Sequence, residues 1–275
     1  MDKKTVLISG ATSGIGKATA LAMCQRDYRV IILGRNELKL ADTTRWLSEQ
    51  CPSSEVFGYL VDFSDLMSVN AVVETLSVEH PVIDIVINNA GALHMTQVET
   101  PEGLEKTLVV NYYSHFVLTM GLLNNIKISA NGRIINVSSD CYKLPSYDMN
   151  EQIEPEKYNW NKAYNRSKLA QVQFTHRLQQ ELLDSGVTVT CVSPGGVKTN
   201  IYDPMPKVLR WLTSFSLKPV EKGIRDIVHI ATQPDIQNYR GAFVSGGKVK
   251  AVPARCLNEE QINFLWQRSL EACAV

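Results

Sequence analysis

Residues 5–16 read Thr5-Val6-Leu7-Ile8-Ser9-Gly10-Ala11-Thr12-Ser13-Gly14-Ile15-Gly16, a short apolar run that leads straight into a glycine-rich turn. An apolar run that ends at such a turn is typical of a buried strand. Glycines here let the backbone approach a pyrophosphate, and the N-terminus of the following helix offers unpaired N–H groups with a partial positive charge. The pattern predicts a dinucleotide-binding turn, although a strand-to-helix turn without a ligand would need similar glycines. The predicted binding residues are Gly10, Thr12, Ser13, Gly14, Ile15 and Gly16.

Short runs rich in Val and Ile alternate with longer amphipathic segments from residue 5 to about residue 193. Such alternation indicates β-α-β units around a parallel sheet. Strands are predicted at 5–9, 29–33, 56–61, 83–88, 132–137, 187–192 and 242–245. Helices are predicted at 15–26, 37–50, 66–79, 101–124, 162–184, 220–232 and 258–272. No repeat or linker divides residues 1–275, so we expect an α/β, Rossmann-type doubly wound fold with about seven parallel strands in a single dinucleotide-binding catalytic domain.

Two stretches interrupt the alternation, and both are expected at the carboxyl end of the sheet, where such folds bind ligands. Residues 140–161 are polar and loop-like, whereas residues 201–219 are apolar and contain prolines. An apolar segment at that edge would suit a mobile lid over a hydrophobic substrate. Core packing of a surface helix and shallow contact with a membrane are the alternatives.

Composition excludes several classes of partner. Lys plus Arg and Asp plus Glu both number 28, so no global field favours nucleic acid. The six cysteines are scattered without a C-x-x-C spacing, which suggests neither a metal site nor a disulfide framework and fits a cytoplasmic location. The apolar run after Met1 is far shorter than the roughly 20 residues that span a bilayer, so we expect no signal peptide and no membrane span.

The end of the second predicted strand indicates the cofactor. A site selective for NAD places an acid there to bind the ribose hydroxyls, but this chain has Gly34-Arg35-Asn36. A guanidinium can bind the 2′-phosphate of NADP(H) through charge-assisted hydrogen bonds, so Arg35 and Asn36 favour NADP(H), unless Arg35 is an ordinary exposed loop residue. Asp62, at the end of the third strand, is placed to contact the adenine or to cap the next helix.

Tyr164 and Lys168 are four residues apart on a predicted helix and therefore share one face. A phenol has a pKa of about 10 and is a poor base at neutral pH. A nearby ammonium at about 4 Å favours the phenolate by up to roughly 4 kcal/mol, which brings the phenol close to a working general acid and base. The alternative is a surface tyrosine beside a solvated lysine.

These motifs occur in a fixed order along the chain. The glycine-rich turn is followed by Asn88-Asn89-Ala90-Gly91, then Asn111, Ser138-Ser139, Tyr164 to Lys168, and Pro194-Gly195. In this order the chain resembles the short-chain dehydrogenase/reductase family over essentially its whole length. The resemblance implies an enzyme whose catalytic residues are Asn111, Ser139, Tyr164 and Lys168.

Individual roles follow from the same resemblance. Ser139 is implied as the hydroxyl that binds the reacting oxygen, because the family usually uses the second serine of such a pair, and Asn111 as the residue that helps to hold a water linked to the lysine. Asn89, Ala90 and Gly91 are implied in cofactor binding, together with Tyr164 and Lys168. Around the nicotinamide carboxamide the resemblance implies Pro194, Gly195, Val197 and Thr199, although Pro and Gly there are also typical of a simple turn.

The spacing between Ser139 and Tyr164 is long for the family. With Gly103-Leu104-Glu105, Val172-Gln173-Phe174-Thr175 and Gly241-Ala242-Phe243-Val244, it is similar to the retinol dehydrogenase-like branch. That branch implies an NADP(H)-dependent oxidoreductase for a small lipophilic alcohol, aldehyde or ketone, whether retinol dehydrogenase-like or a carbonyl reductase. The sequence leaves a homodimer open.

Two other functions are open on the same fold. A non-catalytic NADP(H)-binding regulatory or scaffold protein would be favoured by loss of Ser139, Tyr164 or Lys168, and none is lost. A nucleotide-sugar epimerase or dehydratase is disfavoured by the glycine spacing and by the absence of a long C-terminal substrate domain.

Overall fold

A computed structural model of the chain describes residues 3–144, 158–199, 201, 203–204 and 217–273. Its centre is an eight-stranded sheet in the order β3-β2-β1-β4-β5-β6-β7-β8. The strands are β1 Thr5–Ser9, β2 Arg29–Gly34, β3 Val56–Leu60, β4 Ile85–Asn88, β5 Arg133–Val137, β6 Thr188–Ser193, β7 Phe243–Ser245 and β8 Lys248–Lys250. All seven predicted strands are therefore present, and the Rossmann-type fold is confirmed.

The sequence did not predict strand β8, which pairs with β7. The first seven strands pair in parallel, but β8 runs antiparallel to β7. Gly246 and Gly247 join the two strands with φ of +62° and +75°, the left-handed backbone that a tight hairpin of this kind requires. Because all three residues of β8 are exposed, its sequence lacks the apolar pattern by which the other strands are recognised.

Helices cover both faces of the sheet. They are α1 Gly14–Cys24, α2 Glu37–Gln50, α3 Leu66–Glu79, α4 Lys106–Leu108, α5 Ser114–Gly121, α6 Leu123–Ile128, α7 Trp160–Glu181, α8 Val220–Gly223, α9 Arg225–Thr232 and α10 Glu259–Cys273. The helix predicted at 101–124 is interrupted by a π-helical turn, Val109–Tyr113, between α4 and α5. The stretch predicted as a polar loop at 140–161 begins with the 3₁₀ helix Asp140–Lys143, and its residues 145–157 lie outside the described part of the chain.

Burial explains which segments became strands and helices. β1, β4, β5 and β6 are buried along their whole length, as expected for parallel strands covered on both faces. Helix α7 is also enclosed, because its outer side packs against α10, where Phe174 stacks on Trp266 at 6.2 Å between ring centres.

Among the described residues, no helix has both the length and the apolar character needed to cross a membrane.

Candidate active site

A cleft of about 810 Å³ opens at the carboxyl end of the parallel strands, including the edge where β1 lies between β2 and β4. This point, where the strand order reverses, is where doubly wound folds bind their ligands. The predicted cofactor-binding residues all line the cleft, namely Gly10, Thr12, Ser13, Gly14, Ile15, Gly16, Arg35, Asn36, Asp62, Asn89, Ala90, Gly91, Tyr164, Lys168, Pro194, Gly195, Val197 and Thr199. Ser139, predicted as catalytic, lines it as well.

The glycine-rich turn requires glycine for steric reasons. Gly10 has φ of +65°, and a Cβ on it would lie 2.8 Å from the Cα of Ala90. A Cβ on Gly16, in the first turn of α1, would lie 2.4 Å from the carbonyl oxygen of Gly10. The turn therefore brings its backbone close to β4 and to the start of α1, and it leaves a cradle without side chains that fits a pyrophosphate.

Arg35 and Asn36 line the cleft where β2 leads into α2, whereas Tyr164 and Lys168 line it from α7. Arg35 is exposed and lines the cleft, as does Lys39 in the first turn of α2. The side chain of Asn36 caps α2 by accepting a 2.9 Å hydrogen bond from the N–H of Lys39. Two basic side chains thus line the cleft at the end of β2, and such side chains can bind a phosphate through charge-assisted hydrogen bonds.

The structure does not support the helix-cap alternative for Asp62. Helix α3 is capped by Asp65, whose carboxylate accepts from the N–H groups of Met67 and Ser68. Asp62 accepts from the backbone and hydroxyl of Ser64 instead, at 2.9 and 2.8 Å. Although burial acts to raise the pKa of Asp62, these hydrogen bonds and the positive charges of nearby basic side chains lower it, so the carboxylate stays ionised at the rim of the cleft.

The two adjacent serines at the end of β5 have different surroundings. The hydroxyl of Ser138 is buried and donates a 2.8 Å hydrogen bond to the carbonyl oxygen of Lys168, which ties β5 to α7. Ser139 is half-buried, and its Oγ accepts a longer hydrogen bond, 3.4 Å, from the N–H of Cys141. Of the pair, Ser139 is the more exposed to the cleft, so its hydroxyl is the better placed to meet a ligand there.

Helix α7 presents Tyr164 and Lys168 to the same cleft. It begins at Trp160 because Asn159 caps it, accepting from the N–H groups of Asn161 and Lys162. The Nζ of Lys168 lies 5.6 Å from the centre of the Tyr164 ring. The four-residue spacing has therefore placed a phenol and an ammonium side by side.

Lys168 is only 4 % exposed, although it lines the cleft. Its Nζ donates to the carbonyl oxygen of Val137 at 3.0 Å and to Oε1 of Gln171 at 3.2 Å. Burial lowers the pKa of Lys168 to about 8. The lysine is thus still charged at neutral pH but loses its proton far more easily than an exposed lysine.

Asn111 lies in the π-helical turn and is fully buried. Its side chain therefore affects the cleft through the residues that it contacts. Its Oδ1 accepts from the N–H of Ala92 at 2.7 Å, and its Nδ2 donates to the carbonyl oxygen of Ala92 at 3.0 Å and to Oγ of Ser167 at 2.9 Å. Ser167 in turn donates to the carbonyl oxygen of Tyr164. Asn111 thus fixes the loop after β4 relative to α7.

The segment after β6 returns to the cleft. A Cβ on Gly14 would lie 3.2 Å from Cγ2 of Thr199, so this segment closes over the glycine-rich turn. Most of the apolar segment predicted as a lid at 201–219 lies outside the described residues. Its aromatic residues Trp211 and Phe215 are in that part. Of its described part, Ile201 lines the cleft, and Lys218 pairs through its backbone with the segment after β6.

Several residues of the cleft were not predicted. Lys39 was overlooked because it lies inside a predicted helix, yet its place in the first turn brings it back to the end of β2. The loop after Gly91 also lines the cleft, through Leu93, His94, Met95 and Thr96. The position of this loop directly after β4 could have predicted that it lines the cleft, since loops after parallel strands share one edge of the sheet.

Comparison with known proteins agrees with this geometry. The family described as short chain dehydrogenase matches residues 4–208. Retinol dehydrogenase 14 of Mus musculus is 33% identical over 98% of this chain and 85% of its own length, and retinol dehydrogenase 12 of Homo sapiens is 33% identical over 99% and 87%.

Solved structures show the same fold. An uncharacterised protein of Mycobacterium paratuberculosis superposes with a TM-score of 0.79 at 26% identity, covering 99% of this chain and 94% of that one. A short chain dehydrogenase of Burkholderia cenocepacia J2315, solved in complex with NADP, superposes with a TM-score of 0.72 at 19% identity, covering 88% and 95%. The chain belongs to the short-chain dehydrogenase family, in the part of it that resembles the retinol dehydrogenases.

Proposed function

We propose that the protein is an NADP(H)-dependent oxidoreductase that interconverts an alcohol and an aldehyde or ketone. One observation carries the proposal: Ser139 after β5 and Tyr164 with Lys168 on α7 line the same cleft as the glycine-rich turn. A general acid, an oxygen-binding hydroxyl and a dinucleotide cradle are the three parts that carbonyl reduction needs.

The choice of NADP(H) rests on the end of β2. Arg35 and Lys39 line that end of the cleft, and the chain has Gly34-Arg35-Asn36 where an NAD-selective site places an acid. The carboxylate of Asp62 also lines the cleft, but it accepts from Ser64 and follows β3 rather than β2. NADP in the related Burkholderia structure is consistent with this choice.

The residues of the site divide the chemistry between them. The nicotinamide, when bound, supplies a hydride to the carbonyl carbon or accepts one from the alcohol. Tyr164 gives its phenolic proton to the carbonyl oxygen in reduction and takes the hydroxyl proton in oxidation. Ser139 donates a hydrogen bond to that oxygen, which stabilises its developing negative charge. Lys168 favours the phenolate with its positive charge.

The apolar part of the cleft wall supports a small lipophilic substrate. Leu93, Met95 and Ile201 line it with apolar surface, and Val110 closes it from the π-helical turn. Burial of an apolar substrate against such side chains contributes roughly 25 cal/mol for each Å² removed from water. The names of the relatives point to retinol as one member of this substrate class.

The decisive experiment measures NADPH and NADH oxidation in parallel with a panel of carbonyls. The panel contains straight-chain aldehydes of increasing length, retinaldehyde, a ketone and glyceraldehyde as the small polar control. We expect turnover with NADPH and a kcat/KM that rises with apolar surface. Absence of turnover with every substrate, despite tight NADPH binding, would favour the non-catalytic alternative that the sequence left open.

Assembly and location are further expectations. Helix α7 is enclosed by the sheet and α10, so we infer that a homodimer, if one forms, uses another surface. Light scattering coupled to size-exclusion chromatography tests this, since a dimer that dissociates on substitution of exposed α7 residues would contradict it. A cytoplasmic location stays a prediction from the cysteine pattern.

A further inference from the structure

A row of buried polar side chains leads from Lys168 into the core. The Nζ of Lys168 donates to Oε1 of Gln171 at 3.2 Å, and Nε2 of Gln171 lies 3.2 Å from Nδ1 of His115. The Nε2 of His115 lies 3.4 Å from Oγ of Ser9. All four side chains are buried, and they come from α7, α5 and β1. Buried polar groups joined in this way hold one another in a single arrangement.

The direction of the hydrogen bonds follows from chemistry. An ammonium can only donate, so the amide oxygen of Gln171 faces Lys168 and its NH₂ group donates to His115. Nδ1 of His115 is then the acceptor of that amide, and its Nε2 lies against Oγ of Ser9. Burial and, to a smaller extent, the charge of Lys168 lower the pKa of His115 to about 3, against a smaller opposing effect of a hydrogen bond with the Asn111 backbone. The imidazole is therefore neutral, as this arrangement requires.

The other end of the row lies at the cleft. Oγ of Ser9 accepts from the N–H groups of Asn89 and Ala90, at 2.8 and 2.9 Å. Both residues follow β4 and line the cleft. The same row thus joins the lysine on α7 to the backbone that surrounds the dinucleotide cradle.

We propose that Gln171 is a positioning residue that holds the Lys168 ammonium in place, and that His115 and Ser9 fix the orientation of Gln171. The importance of that position for catalysis rests on the function proposed above. A lysine has a flexible four-carbon stem, and burial disfavours its charge, so an amide oxygen beside Nζ both restrains the side chain and stabilises the ammonium.

Of the two described acceptors of the Lys168 ammonium, Gln171 supplies the one that belongs to a side chain. The second acceptor of the ammonium is the carbonyl oxygen of Val137, a backbone group at the end of β5. The titratable groups that face the lysine are Tyr164 on its own helix, His115 on α5, Cys141 in the 3₁₀ helix after β5 and Cys191 on β6. Burial raises the pKa of both thiols, so neither is an anionic partner at neutral pH.

The test compares Gln171→Met with Gln173→Met. Gln173 is equally buried on the same helix, but its amide donates to the carbonyl oxygen of Cys256, away from the lysine. ¹³C-lysine NMR of the cofactor-free protein follows the titration of Lys168, with Lys168→Met assigning its signal. We expect a midpoint near the folded value of about 8 in the wild type. Loss of the acceptor should lower that midpoint by about one pH unit in Gln171→Met only.

Turnover gives a second readout. We expect kcat/KM with NADPH to fall about tenfold or more in Gln171→Met and to change less than about twofold in Gln173→Met, even where the two variants lose the same thermal stability. Equal titration midpoints for the wild type and Gln171→Met would overturn the proposal, as would equal loss of kcat/KM in the two variants.

A third variant decides the matter if Gln171→Met does not fold. Gln171→Glu places a carboxylate beside the ammonium, so the Lys168 midpoint should move upward by one pH unit or more. An unchanged or lower midpoint contradicts contact between the two side chains. A wild-type protein that turns over no carbonyl contradicts the proposed function instead, and the titrations then test the contact on their own.

Discussion

The Nζ of Lys168 lies 5.6 Å from the centre of the Tyr164 ring, and the two side chains are one helical turn apart on α7. The phenol is half-buried at the cleft, whereas the lysine is almost fully buried behind it. The pair therefore combines a proton donor that a substrate can reach with a charge that water screens only weakly.

Replacement of Tyr164 by Phe should abolish most turnover and leave cofactor binding intact, because it removes the proton donor and keeps the ring. We expect kcat to fall by about 10²- to 10⁴-fold, with the NADPH dissociation constant within about twofold of the wild type. Steady-state NADPH oxidation and fluorescence titration measure the two quantities. Tyr239→Phe, outside the cleft, is the control, and residual activity above about a tenth of the wild type would remove Tyr164 from this role.

The buried charge of Lys168 should make stability depend on pH in one direction. Its pKa is lowered from 10.5 to about 8 on folding, so between these values the unfolded chain binds a proton that the folded protein does not. The free energy of unfolding of the cofactor-free protein should therefore rise from about pH 8 to about pH 10, relative to Lys168→Met. Urea unfolding of both proteins at four pH values measures the difference. A difference that stays constant or falls would show that the lysine is not buried as a charge.

Loss of Arg35 should weaken NADPH binding and spare NADH binding, because only NADPH carries the 2′-phosphate. A hydrogen bond to a charged group contributes about 1.5–3 kcal/mol, so Arg35→Ala should raise the NADPH dissociation constant by about ten- to a hundredfold. Lys39→Ala should have a smaller effect of the same kind. Isothermal titration with both cofactors measures this, and Arg45→Ala, an exposed arginine elsewhere on α2, is the matched control. Equal losses for NADPH and NADH would contradict the assignment.

Asp140 should connect the position of Ser139 to the ends of β6 and β7. Its Oδ2 accepts from Oγ of Ser193 at 2.7 Å and from Oγ of Ser245 at 2.9 Å. Burial acts to raise the pKa of Asp140, but these hydrogen bonds and the charge of Lys143 lower it. Its contribution to stability is therefore present above the unfolded value of about 3.9 and is lost as pH falls through the lower folded value.

Asp140→Ala tests this anchoring. We expect kcat to fall by about tenfold, because the hydroxyl of Ser139 is no longer held at the cleft. We also expect the thermal stability of the variant to fall less on acidification than that of the wild type. Asp226→Ala is the control, since that carboxylate accepts from the N–H of Gly247 near the same strands but outside the cleft. Similar kcat values in the two variants would show that the position of Ser139 does not depend on Asp140.

Local patterns in the sequence determined the sheet and the motifs of the cleft. Buried parallel strands require continuous apolar runs, and the turn between Gly10 and Gly16 requires glycine because a Cβ would collide with the backbone. Tyr164 and Lys168 share a face because helical geometry fixes residues four apart. These constraints act within one element or across one turn, so they leave a readable trace in the order of residues.

Tertiary packing alone decided the rest. β8 is short and exposed, and only its pairing with β7 makes it a strand. Asn111 carries no local sign that it would join Ala92 to Ser167, and a sequence gives no reason to connect Gln171 with His115 and Ser9. Such contacts join residues far apart in the chain, and their geometry depends on how α5 and α7 lie against the sheet. Hydrogen bonds of this kind form only once the core has excluded water and fixed both partners, which no local pattern encodes.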